Sequence, residues 1–160
     1  MQVAVVMGSK SDWPIMQETS ALLDQLGVTY TVQVISAHRM PRELQQFSET
    51  AKDEHYQVVI AGAGGAAHLP GMIAANTTLP VIGVPIQTKA LNGLDSLLSI
   101  VQMPAGVPVA TVAIGNAGAK NAAILAAEIV ALRDSKVNQR LAEYRSAQTK
   151  EAIASNATLE

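Results

Sequence analysis

Short apolar runs alternate along this chain with longer stretches whose apolar side chains recur at helical spacing. Residues 2–7 form a nearly unbroken apolar run, the pattern of a central parallel strand buried on both faces. Across 13–26, Trp13, Ile15, Met16, Leu22, Leu23 and Leu26 mark one face of an amphipathic helix, and Gly27 stops it. Residues 30–35 alternate as a second strand. A polar helix with Pro41 in its first turn then runs to His55, with Leu44 and Phe47 turned inward. The pattern continues with a strand at 58–61, a short helix at 73–75 and a strand at 80–85. After these come a helix at 94–101, a strand at 107–112 and an Ala-rich helix at 117–132. Ser135 stands where it would cap a more polar last helix of about 135–154, suited to reach a neighbouring subunit, with frayed final residues. Strands separated by helices predict an α/β fold. It is a three-layer αβα sandwich on a doubly wound parallel sheet of flavodoxin or Rossmann type. No linker or repeat divides it, so residues 1–160 are expected to form one domain.

Composition sharpens this picture at one point. Charged residues make up 15% of the chain, against roughly 25% in ordinary soluble domains. Hydrophobic residues reach 49% with only 3% aromatic, so the apolar excess is aliphatic. So few charges leave too much surface uncovered for a monomer, and burial against copies of the same chain is expected. The net charge of −2 exerts no long-range pull on nucleic acid or acidic membranes. The absence of cysteine removes disulfide and thiolate chemistry. No leader pattern opens the chain, and its apolar runs fall short of a membrane span, so a cytoplasmic location is expected.

Three strand ends carry the candidate chemistry. The first is Gly8-Ser9-Lys10-Ser11-Asp12, where hydroxyls and free amides at a helix start suit a phosphate. Asp12 would repel that phosphate and better suits a ribose diol; an ordinary helix cap by Ser11 or Asp12 is the alternative. The second is Ser36-Ala37-His38-Arg39, at a strand-to-helix transition on the sheet edge where open α/β folds bind ligands. Arg39 offers a planar fork for phosphate oxygens, with Ser36 beside it. A histidine at position 38 suits both giving and taking a proton near neutrality. A capping turn with two solvated basic side chains is the plain alternative. The third is residues 62–72, where glycines let backbone approach a ligand and expose amides to a planar or anionic group. His68 either lines the pocket or bonds loop backbone. His55 reads as a solvated cation at a helix end.

Other chemistries lack their signatures. Gly62-Ala63-Gly64 with Ala67 loosely fits a dinucleotide pattern, but it follows the wrong strand and lacks the ribose-holding acid about twenty positions on. The spacing of a P-loop, the Gly-x-Ser-x-Gly elbow of a hydrolase and a metal ligand set are all missing.

Taken with the segments at 95–104 and 115–123, these three stretches closely resemble the class I N5-carboxyaminoimidazole ribonucleotide mutases of purine biosynthesis, the phosphoribosylaminoimidazole carboxylase catalytic-subunit family. The likeness spans about residues 3–148. It implies an isomerase that moves a carboxylate from the exocyclic nitrogen of an aminoimidazole to ring carbon 4. It also implies a homo-octamer and the use of no metal, ATP or organic cofactor. By motif, His38 corresponds to the catalytic histidine. Ser11, Ser36 and Arg39 correspond to the phosphate site, with Ser9 also binding substrate and Asp12 on the ribose. Gly64, Gly65, Ala66, His68 and Leu69 wall the base and carboxylate, and a small pocket closed to water is expected there. Two alternatives are a class II carboxylase that takes free carbon dioxide, and a flavin- or nucleotide-binding protein on the same kind of sheet.

Overall fold

A computed structural model describes residues 1–159 of the chain. The apolar runs become strands β1 (Val3–Met7), β2 (Tyr30–Val34), β3 (Val58–Gly64), β4 (Val81–Ile86) and β5 (Ala110–Thr111). Between and after them lie helices α1 (Trp13–Leu26), α2 (Pro41–Thr50), α3 (Leu69–Ala74), α4 (Leu94–Val101), α5 (Asn116–Ala131) and α6 (Ser135–Ser155). All strand pairs are parallel, in the order β2-β1-β3-β4-β5. The order in which the chain adds strands therefore reverses between β1 and β3, and their carboxyl ends open the crevice where such sheets take ligands.

Alternate residues of the central strands feed two cores. Val3, Val5 and Met7 join Ile60 and Ile82 beneath α1, α5 and the first turns of α6. Ala4 and Val6 join Val59 and Ala61 beneath α2, α3 and Ile100 of α4. Every residue of β1 and β4 is buried, as the unbroken apolar runs require. Gly62 of β3 is needed for this packing: a Cβ there would collide with the Met16 side chain of α1.

Several boundaries differ from the sequence pattern. Helix α2 stops at Thr50, and the chain closes through turns to His55, which takes a left-handed φ of 66°. Strand β3 runs on to Gly64, and α3 begins at Leu69 within the glycine segment. Only two residues of β5 join the ladder, because Pro108 has no N–H to give and the strand lies at the sheet edge. Asp134, not Ser135, caps α6; its extended backbone lets its carboxylate accept from the Lys136 and Val137 amides. Trp13 lies at the solvent surface instead of in the core.

The chain leaves a large surface uncovered. Its 8896 Å² of accessible area exceeds the roughly 7,600 Å² expected of a compact monomer of its mass. Part of the excess is α6, exposed throughout from residue 145 onward. Leu94, Leu98 and Val101 add an exposed apolar stripe along α4. No described helix is long and apolar enough to cross a membrane.

Candidate active site

Each loop at the carboxyl edge of the sheet is shaped by its own hydrogen bonds. After β1, the Gly8 N–H donates to Gly62 O at 3.1 Å, carrying the β1–β3 ladder one step further. A 3-10 turn at Lys10–Asp12 follows, closed by a capping box. Ser9 Oγ accepts from the Ser11 amide at 3.3 Å, and Asp12 Oδ2 accepts from the Ser9 amide at 3.0 Å. Ser9 therefore caps this turn, while Asp12 holds the N-cap position of α1 without a side-chain cap bond to it. Asp12 is buried, which pushes its carboxyl above the usual range, while hydrogen bonds from Ser9, Ser11 and Gly8 pull it back. Ser11 Oγ donates to Ser9 Oγ at 2.9 Å, leaving the Ser9 hydroxyl proton free for a ligand.

After β2, the amides of Arg39 and Met40 both turn back onto Ser36 O. Arg39 Nε donates to Ser36 Oγ at 3.0 Å, which aims the guanidinium and leaves the Ser36 proton free. No carboxylate among the described residues lies within ion-pair distance of Arg39. An unpaired fork beside two hydroxyls has the donors to hold an anion's oxygens.

After β3, Gly65 takes a φ of 67°, a left-handed turn that a Cβ would strain. The His68 amide then donates to Ala66 O at 2.8 Å, and Leu69 is buried as α3 starts. This turn carries His68 to His38. Their rings meet edge-on at 86°, with His38 Nε2 and His68 Nδ1 2.8 Å apart. One of these nitrogens must donate and the other accept, so the facing pair holds a single proton between them.

All eleven residues singled out from the sequence line one cavity of about 690 Å³, within the range of roughly 300–1,000 Å³ for small-molecule sites. Ser9, Ser11 and Asp12 form one wall, Ser36, His38 and Arg39 the second, and Gly64, Gly65, Ala66, His68 and Leu69 the third. Sequence reasoning missed a fourth wall, Ile86, Gln87 and Thr88, at the end of β4. The rule that ligands sit at strand ends could have found it, because β4 is the next strand beside β3. The cavity is not sealed: His38, Arg39, Ala66 and His68 are all exposed, and no element among the described residues covers them. His55 lies elsewhere, exposed at its turn. No group of three potential metal ligands gathers among the described residues.

Comparison with known proteins adds the family to this geometry. The model of the AIR carboxylase family matches residues 2–151. An N5-carboxyaminoimidazole ribonucleotide mutase of Escherichia coli is 59% identical over 152 residues, covering 95% of this chain and 90% of its relative. One from Haemophilus influenzae is 60% identical over 148 residues, covering 92% and 90%. The crystal structure of Treponema denticola PurE superimposes with a TM-score of 0.88 at 25% identity, covering 99% of this chain and 98% of that one.

Proposed function

The chain belongs to the AIR carboxylase family, and from that premise we propose that it is a class I N5-carboxyaminoimidazole ribonucleotide mutase. The observation that carries the reading is that Asp12, His38 and Arg39, from three separate loops, face one cavity. Arg39 and the free hydroxyl protons of Ser36 and Ser9 hold the phosphate, with Ser11 supporting Ser9. Asp12 accepts from the ribose hydroxyls. This grip, remote from the reacting atoms, fixes the base against His38.

His38 gives a proton to the exocyclic nitrogen of the carbamate, whose N–C bond breaks to leave an amine and carbon dioxide. Ring carbon 4 then attacks the carbon dioxide, forming a C–C bond, and its displaced proton returns to His38. No proton is gained or lost overall. His68 holds the other end of the His38 imidazole and sets which of its nitrogens faces the substrate. The residues around Gly64–Ala67 are small enough to leave space for carbon dioxide beside the base.

Keeping carbon dioxide from escaping requires a closed chamber, and the single chain leaves this one open. We therefore place the working enzyme in a homo-octamer in the cytoplasm. The apolar stripe of α4 and the projecting arm of α6 supply surfaces for assembly. The test is to add synthetic N5-carboxyaminoimidazole ribonucleotide and follow the carbon-carboxylated product, with and without excess bicarbonate. Product formed without bicarbonate supports the mutase. Product formed only from aminoimidazole ribonucleotide and bicarbonate would instead make it a class II carboxylase.

A further inference from the structure

Helix α4 contributes no residue to the cavity lining, yet two of its hydroxyls reach the cavity wall from behind. Ser96 is fully buried; its Oγ donates to Ile86 O at 2.6 Å and accepts from the Gly65 N–H at 3.0 Å. One turn on, Ser99 Oγ shares its proton between Asp95 O at 2.7 Å and Gly65 O at 3.1 Å. Both ends of Gly65 are thus tied to α4. In a trans peptide the carbonyl and the following N–H point in opposite directions. Gly65 O also accepts from the Ala67 N–H at 2.8 Å, and with that oxygen held toward Ser99 the Ala66 N–H is turned away from the helix. That amide has no acceptor within the described chain, and Ala66 lines the cavity.

We infer that Ser96 and Ser99 are positioning residues: Ser96 fixes the Gly65 N–H and Ser99 the Gly65 carbonyl, so that together they hold Gly65 with the Ala66 N–H toward the carboxylate as it passes from nitrogen to carbon. The inference rests on the mutase reading, and it identifies what orients the donor toward the migrating group. Ser96 also locks the exit of β3 to the end of β4, so the third and fourth walls keep one spacing. A donor fixed before the reaction needs no rearrangement as charge moves from carbamate to carbon dioxide and back to carboxylate. A merely structural Ser96 would affect folding without affecting where the carbon dioxide goes.

The test measures how each turnover divides between rearranged product and aminoimidazole ribonucleotide that has lost its carbon dioxide, corrected for the enzyme-free rate. In Ser96→Ala, kcat should fall by roughly ten- to a hundredfold. The share of escaped carbon dioxide should rise several-fold, with KM little changed because phosphate and ribose are held by other loops. A folded Ser96→Ala enzyme that partitions like wild type would overturn the inference. If that variant does not fold, Ser99→Ala decides, because Ser99 is exposed and its loss leaves no buried orphan. Its escape should rise by less, and unchanged partition would overturn the inference. Wild type that makes no product would remove the mutase reading and this inference with it, whereas normal wild-type turnover with unchanged partition removes only the inference.

Discussion

The seam between α1 and α5 and the rim of the cavity are both built from small residues, put to opposite uses. In the seam, Ala119, Ala122, Ala123, Ala126 and Ala127 recur at helical spacing and are fully buried. Their small size brings α5 onto Met16, Leu22, Leu23 and Leu26 of α1. The buried Thr19 hydroxyl spends its proton on Ala119 O at 2.8 Å, a bond from α1 to α5 across the seam. At the rim, Ala63, Gly64, Gly65 and Ala66 have no helical period, and their small size leaves space and exposed backbone. Around that space stand groups whose bonding capacity is unspent: the Arg39 fork, the Ser9 and Ser36 protons and the Ala66 amide. The seam is packed for stability. The rim leaves its polar groups facing the cavity.

If that contrast is right, substitutions in the two regions should separate turnover from stability. The largest effect is expected at His38→Asn, which should lower kcat by roughly 10²- to 10⁴-fold. Melting temperature and nucleotide binding should stay near wild type, as read by thermal scanning and calorimetry with the product nucleotide. Near-normal turnover would remove His38 from the mechanism. Arg39→Ala should come next, weakening substrate by roughly ten- to a hundredfold through loss of a charge-assisted contact. Steady-state kinetics should place that loss in KM; an unchanged KM would take the phosphate away from Arg39.

The seam should respond the other way. Ala123→Leu overpacks it at a cost of about 1–3 kcal/mol, lowering the melting temperature by several degrees. Turnover per folded molecule at low temperature should not change. A loss of activity at an unchanged melting temperature would mean the two regions are coupled after all.

The smallest effect joins the two regions through pH. Burial raises the Asp12 carboxyl above its ordinary value of 3.8, so its ionisation opposes folding. That cost is absent below the ordinary value and fully present above the raised one. Asp12→Asn should therefore melt slightly higher than wild type at neutral pH, with the gap closing as pH falls below about 4. Substrate binding should weaken in the same variant. A gap that widens toward acid would reverse the assigned sign.

The contrast also explains how much could be seen beforehand. Periodicity marks α5 residue by residue, and the unbroken run at Val3–Met7 marks a strand covered on both faces. The rim was legible as strand ends carrying Ser, Asp, His and Arg, because ligand sites in such sheets follow from connectivity. What stayed hidden depends on contacts between loops. His38 and His68 lie 30 positions apart, and no local pattern records that their rings meet. The Ser96 bond to Gly65 spans 31 positions and comes from a helix to which the sequence pattern assigns no site residue. Ser135 and Asp134 are adjacent possible caps, and backbone angle alone selects Asp134. The exposure of the cavity was hidden for another reason: strand ends can be placed from connectivity, but what lies over them cannot.

The most direct test of the central claim uses substrate labelled with carbon-13 in its carboxylate, turned over in unlabelled bicarbonate. Carbon dioxide held between His38 and the glycine rim predicts product that keeps the label. Product whose carboxylate comes instead from the unlabelled pool would show that the group leaves and is replaced from solution, and the account of a trapped intermediate would be wrong.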